Sequence, residues 1–89
     1  MRRYKRFTAT PEAIEHYELG LADDGSFAWL ITRSVPDGFG GSHHAHGTWT
    51  RTGDTIAFEI AETSDGAPVP TSAVIQDDRL DLAGFGVFA

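Results

Sequence analysis

Three histidines fall within four residues at His43-His44-Ala45-His46, and no other stretch of the chain concentrates so much potential chemistry. Along an extended strand side chains alternate, so His44 and His46 share one side, and imidazoles at that spacing can share a metal ion. Two ligands do not close a site, because zinc takes four in a structural centre and three plus a water in a catalytic one. His16 or Glu18, also outward by alternation, could add to them, and the absence of cysteine removes every thiolate ligand. His44 and His46 are therefore weak metal candidates, exposed histidines leading into a strand. The chain is expected to fold without a metal or any other cofactor.

His43 points the opposite way. Counting in twos back from Trp49 puts His43, Ala45 and Gly47 on the inner side of the strand. A neutral imidazole there could accept or donate a proton, and the Tyr17 phenol is the second group able to do so. Tyr17 and His43 are thus the candidate catalytic residues if there is catalysis at all. Ser42 beside His43 is no evidence for a nucleophile, since no serine, histidine and carboxylate fall into a recognisable arrangement. The glycine-rich run from Gly38 to Gly41 leads up to His43 and could act as a mobile lid.

These residues must be positioned by strands. Helical periodicity is nearly absent; only Thr10-Pro11 has the form of a helix start, good for one turn. Tyr17, Leu19 and Leu21 alternate, as do Phe27, Trp29 and Ile31, and a three-residue Asp23-Asp24-Gly25 loop places the two rows on one face. A two-residue Thr52-Gly53 loop would pair Arg51 with Asp54 and Trp49 with Ile56. An Asp77-Asp78 loop pairs Ile75 with Leu80 and Ala73 with Leu82. "YKRFTAT" supplies a first strand and "FGVFA" a last one that closes the sheet, while "SVPDGFGGS" and "TSDGAPVPT" are loops by composition. Seven to eight short strands in sequential hairpins specify an all-β fold, a small antiparallel up-and-down β-barrel whose closure removes the exposed edges of an open sheet.

The inner face gathers Tyr17, Leu19, Leu21, Phe27, Trp29, Ile31, Trp49, Ile56, Phe58, Ile60, Ile75, Leu80 and Leu82. A barrel of eight strands is just wide enough to be filled by side chains or to hold one small molecule. The expected ligand is small and apolar or aromatic, touched by Tyr17, Trp29, His43, Trp49 and Phe58, with hydroxyl, indole and imidazole groups as polar tips. The outer face is rich in alanine and threonine (Ala28, Ala57, Ala61, Thr32, Thr48, Thr50), a surface suited to packing between subunits. A chain of 89 residues also buries a small fraction of its surface, so a homo-oligomer is expected.

Bulk properties bound the rest. The length allows a single domain over residues 1–89, with residues 1–6 a basic N-terminal segment holding Arg2, Arg3, Lys5 and Arg6. A net charge of −6 argues against nucleic acid as a partner, because phosphate binding needs a basic face. No apolar run reaches the roughly 18 residues of a membrane span, and the basic start has no apolar region behind it to make a secretory signal. No membrane partner and a cytoplasmic location are expected.

"HYELGLADDGSFAW", "GTWTRTGDTIAFEI" and "VIQDDRLDL" resemble the hairpin series of small bacterial lipocalin-like and streptavidin-like proteins, and in particular a family of short uncharacterised barrels. The resemblance spans roughly residues 14 to 88 and rests on Gly47-Thr48-Trp49 as a G-x-W step; the N-terminal G-x-W of lipocalins proper is missing. It implies an up-and-down barrel with a small-molecule role and supplies no catalytic residues. The pattern Gly38, His44, His46 also resembles the start of the cupin metal motif, but Thr50 and Arg51 stand where that motif needs a glutamate. Two function classes follow: a non-catalytic binder, or a small barrel enzyme such as a cyclase or isomerase that uses Tyr17 or His43 for proton transfer.

Overall fold

A computed structural model describes residues 2–36, 40–64 and 68–89. Eight strands run β1 (Arg2–Ala9), β2 (Ile14–Leu21), β3 (Ser26–Ser34), β4 (Gly41–Thr52), β5 (Thr55–Thr63), β6 (Ser72–Gln76), β7 (Arg79–Leu82) and β8 (Gly86–Phe88). Each pairs antiparallel with its neighbours in chain order, and backbone hydrogen bonds between Lys5 and Ala89 join β1 to the chain end. The sheet is a nearly closed up-and-down barrel, as the hairpin series requires.

The first sequence-defined register is observed: Leu21 faces Phe27, Leu19 faces Trp29 and Tyr17 faces Ile31. The turn is closed by the Ala22 N–H on the Ser26 carbonyl and by Asp24 Oδ1, which accepts from the Ser26 N–H at 2.9 Å. The third hairpin also has the expected pairs, Ile75 with Leu80 and Ala73 with Leu82. The basic start belongs to strand β1. Arg2, Tyr4 and Arg6 alternate with Arg3, Lys5 and Phe7, and Tyr4 is buried in the core.

Four expectations need correction. No helical turn forms at Thr10-Pro11; Ala9 pairs with Ile14, and the Thr10 N–H donates to the Ala13 carbonyl inside a hairpin loop. In the β4–β5 hairpin the turn residues are Gly53-Asp54, so Thr52 faces Thr55, Arg51 faces Ile56 and Trp49 faces Phe58. Gly53 has φ +62°, and the first position of such a turn is where a residue without Cβ is needed. Trp49 is only half-buried, whereas Trp29 is 1 % exposed. Ile60, expected inside, is 38 % exposed, because β6 pairs with β5 only from Thr55 to Ala57 and Ile60 lies beyond that contact.

A bulge between His46 and Gly47 makes the β4–β5 register slip by one residue, with Gly47 opposite Ile60 and His46 opposite Glu62. It allows Ala45 and Gly47 to keep their inner positions while β5 bends away. The middle of the barrel is filled: Trp29, Phe27, Phe88, Leu19, Leu80, Leu82 and Pro70 are almost completely buried. Pro70, with half-buried Val69 beside it, brings the β5–β6 connection into this core. No residue in the core is polar or charged among those described.

Candidate functional site

Because the centre is filled, the places left for a ligand are open clefts. One lies at the barrel end formed by the start of β2, the end of β3 and the start of β4. Glu15, Tyr17, Ile31, Arg33, Gly41, His43, Pro68 and Phe85 line a volume of about 390 Å³ there. Strand pairing explains the convergence. Tyr17 faces Ile31, which faces His43, and Glu15 faces Arg33 one step further along the same inner row.

The aromatic floor is continuous. Tyr17 lies 6.0 Å from both Trp29 and Phe85 and 6.2 Å from Phe88, while Trp29 and Phe85 meet edge-on at 5.0 Å. Edge-to-face contacts at these separations fix the rings against one another. The Arg6 guanidinium donates to the Phe85 carbonyl and so ties the β7–β8 connection to β1. Trp29 Nε1 donates to the Pro68 carbonyl at 3.0 Å, which pins the β5–β6 connection over the same end.

Two polar groups stand out. Tyr17 Oη donates to Glu15 Oε2 at 3.0 Å. Burial, followed by the hydrogen bond and the negative charge of Glu15, pushes the Tyr17 phenol above its ordinary value, while Arg6 and Arg33 pull weakly the other way. Tyr17 therefore holds its proton and can act as a donor. His43 is half-buried at the cleft, and its Nδ1 is buried without a hydrogen-bond partner among the described residues. Arg33 is exposed and makes no ion pair with a described residue.

The five residues expected to share a ligand are thus divided. Tyr17 and His43 meet at this cleft; Trp29 lies beneath it with its indole N–H already engaged. Phe58 is in the core against Phe27, ring centres 5.1 Å apart. Trp49 belongs to the opposite end, where Nε1 donates to the Ala22 carbonyl at 3.1 Å and the ring borders a cleft of about 240 Å³ with Tyr4, Leu21 and Ile56. Residues that the sequence reading passed over are Glu15, Arg33 and Phe85. Glu15 and Arg33 were available from parity, two residues from Tyr17 and Ile31, but Phe85 depends on how the last connection folds back. Of the glycine-rich run proposed as a lid, Gly38 lies outside the described residues, as does Phe39, while Gly40 and Gly41 border the cleft.

His44 and His46 are exposed on the outer face, as alternation requires. His46 Nε2 stands 3.3 Å from Glu62 Oε2. No group of three or more His, Asp or Glu side chains among the described residues is placed to hold a metal ion. No helix among them is long and apolar enough to cross a membrane.

No protein-family model, curated protein or solved structure matches the chain. The functional reading therefore rests on the geometry of the site.

Proposed function

We propose that the protein binds one small aromatic molecule carrying an acidic group, at the Tyr17–His43 end of the barrel. The observation that carries this reading is the Nδ1 of His43, buried and without a partner among the described residues, beside a cleft floored by Tyr17 and Phe85. A buried polar atom without a partner costs about 1–3 kcal/mol, and a ligand that supplies the partner recovers that cost on binding. A planar ring would rest on Tyr17 and Phe85, and its acidic group would lie toward Arg33. The filled centre moves the ligand from the barrel interior to its mouth. Kinship with streptavidin-like and lipocalin-like barrels and a cytoplasmic setting belong to the same reading, the first supported by strand order and the second by composition alone.

The second reading is a cyclase or isomerase. It is favoured by one observation, the Tyr17–Glu15 hydrogen bond, which keeps a phenolic proton available at the cleft. Titration with a panel of aromatic carboxylates, followed by amide NMR, tests the binding site. Shifts should centre on Tyr17, Gly41, His43 and Phe85; shifts confined to Trp49 and Asp77, or none, overturn it. His43→Ala separates the two classes, since a binder loses only modest affinity whereas an enzyme relying on the imidazole loses roughly a hundredfold in rate.

A further inference from the structure

The end of the barrel away from the Tyr17 cleft gathers the β2–β3, β4–β5 and β6–β7 turns and the start of β1. Buried Tyr4, Leu21 and Ile56, with half-buried Trp49 and Ile75, floor the cleft of about 240 Å³ at this end. Arg2, Asp23, Arg51 and Asp77, all exposed, stand around its rim. We infer that this cleft is a further binding site, which takes one neutral sugar ring.

The rim decides the charge of the ligand. Its two arginines and two aspartates cancel, yet no ion pair forms among the four. The Arg2 guanidinium lies instead over the Tyr4 ring, 5.1 Å from its centre, and Arg51 Nε donates to the Gly53 carbonyl at 2.8 Å. Cationic donors and anionic acceptors are thus held apart around one small cleft, with hydrogen-bonding capacity to spare. A carboxylate or phosphate would meet both aspartates, and an ammonium would meet both arginines. A hydroxyl both donates and accepts, so a ring carrying several of them satisfies the carboxylates and the guanidinium groups together.

The walls decide its shape. A sugar ring presents weakly positive C–H groups on its faces, and these rest favourably against the negative face of an aromatic ring. Trp49 supplies the aromatic surface and is fixed in place. Its Nε1 donates to the Ala22 carbonyl at 3.1 Å, and its backbone N–H donates to the Gly25 carbonyl at 2.8 Å. The Ile75 N–H donates to the Asp54 carbonyl at 2.7 Å and ties β6 to the β4–β5 turn. The three turns are thereby joined before any ligand arrives, which lowers the ordering cost of binding. The volume lies below the roughly 300–1,000 Å³ of sites for drug-sized ligands, and so suits a single ring.

Amide and indole NMR titration of the full chain with the methyl glycosides of glucose, galactose, mannose and N-acetylglucosamine tests the site. At least one should give saturable shifts at Leu21, Ile75, Asp77 and the Trp49 indole N–H, while the Trp29 indole N–H stays unmoved. The uronic acid and the amino sugar corresponding to that glycoside should bind more weakly. Asp77→Gly should weaken binding roughly tenfold, the scale of one hydrogen bond to a charged group. Asp77 has φ +58°, which glycine adopts without steric cost, so this variant should fold and melt like the wild type. Asp23→Ala should weaken binding similarly, and the β2–β3 turn keeps its Asp24–Ser26 hydrogen bonds. The absence of saturable shifts with all four glycosides overturns the proposal. So do shifts centred on the Tyr17 cleft, tighter binding of either charged counterpart, or unchanged affinity in either aspartate variant that remains folded.

Discussion

Lys5 and Ala89 exchange both of their backbone hydrogen bonds, at 2.9 and 3.1 Å, and so the last residue of the chain closes the barrel against the first strand. Phe88, one residue earlier, is completely buried and lies 5.8 Å from the Trp29 ring. The closing strand is three residues long, so its hold depends on this side chain more than on its ladder. Phe88→Ala should cost about 3–5 kcal/mol. Urea denaturation measures it; a loss below about 1 kcal/mol would mean that β8 contributes little to the closed barrel.

The two tryptophans should separate spectroscopically and energetically. Trp29 is buried in the aromatic cluster, whereas Trp49 is half-buried at the opposite end. Trp49→Phe should leave a blue-shifted emission from Trp29, and Trp29→Phe a redder one from Trp49. Truncation to alanine should cost about 3–5 kcal/mol at Trp29 and about 1–2 kcal/mol at Trp49, where less apolar area leaves water. Equal emission maxima in the two phenylalanine variants would contradict the assignment of ends.

Tyr17 gives a pH dependence of defined sign. Its pKa in the fold lies above the ordinary 10.0 because burial and Glu15 favour the neutral phenol. The stability from this group is fully present below the unfolded value and is lost as pH rises through the folded one, so neutral pH lies inside the stable range. Glu15→Gln removes the neighbouring charge and should lower the Tyr17 pKa. Ultraviolet titration of phenolate absorbance reads the change, and an upward or absent shift would remove Glu15 as a cause.

At Gly47 the main chain of β5 passes too close for any side chain. A Cβ there would collide with the Glu59 carbonyl and stand 2.9 Å from the Phe27 ring. Gly47→Ala should therefore destabilise by about 1–3 kcal/mol through overpacking at the bulge. Thermal melting of this variant beside Gly41→Ala, where a Cβ meets nothing within 4 Å, provides the comparison. Similar melting temperatures for the two would show that β5 can move aside.

Outward His44 and His46 are expected to contribute nothing structural through metal. Chelator treatment should leave the melting temperature unchanged, and any zinc bound at His46 and Glu62 should come off on dialysis. Retention of one metal per chain would reverse that conclusion.

The sequence by itself determined the class of fold, the hairpin order and which residues share a face. Those follow from a period of two and from turn residues such as Asp23-Asp24-Gly25, both of which are local. Periodicity carries parity but not register. Trp49 faces Phe58 rather than Ile56, a slip of two residues that leaves every side chain on its expected face, so only the conformation of Gly53 in the folded turn distinguished them. The position of Ile60, the separation of Trp49 from Tyr17 and the arrival of Phe85 at the Tyr17 cleft were likewise settled by tertiary structure. Each depends on where strands end and connections fold back: β6 leaves β5 after three pairs, and the β7–β8 connection is pinned by Arg6 from the far end of the chain. The Arg6–Phe85 contact joins residues 79 positions apart, and no local pattern encodes it.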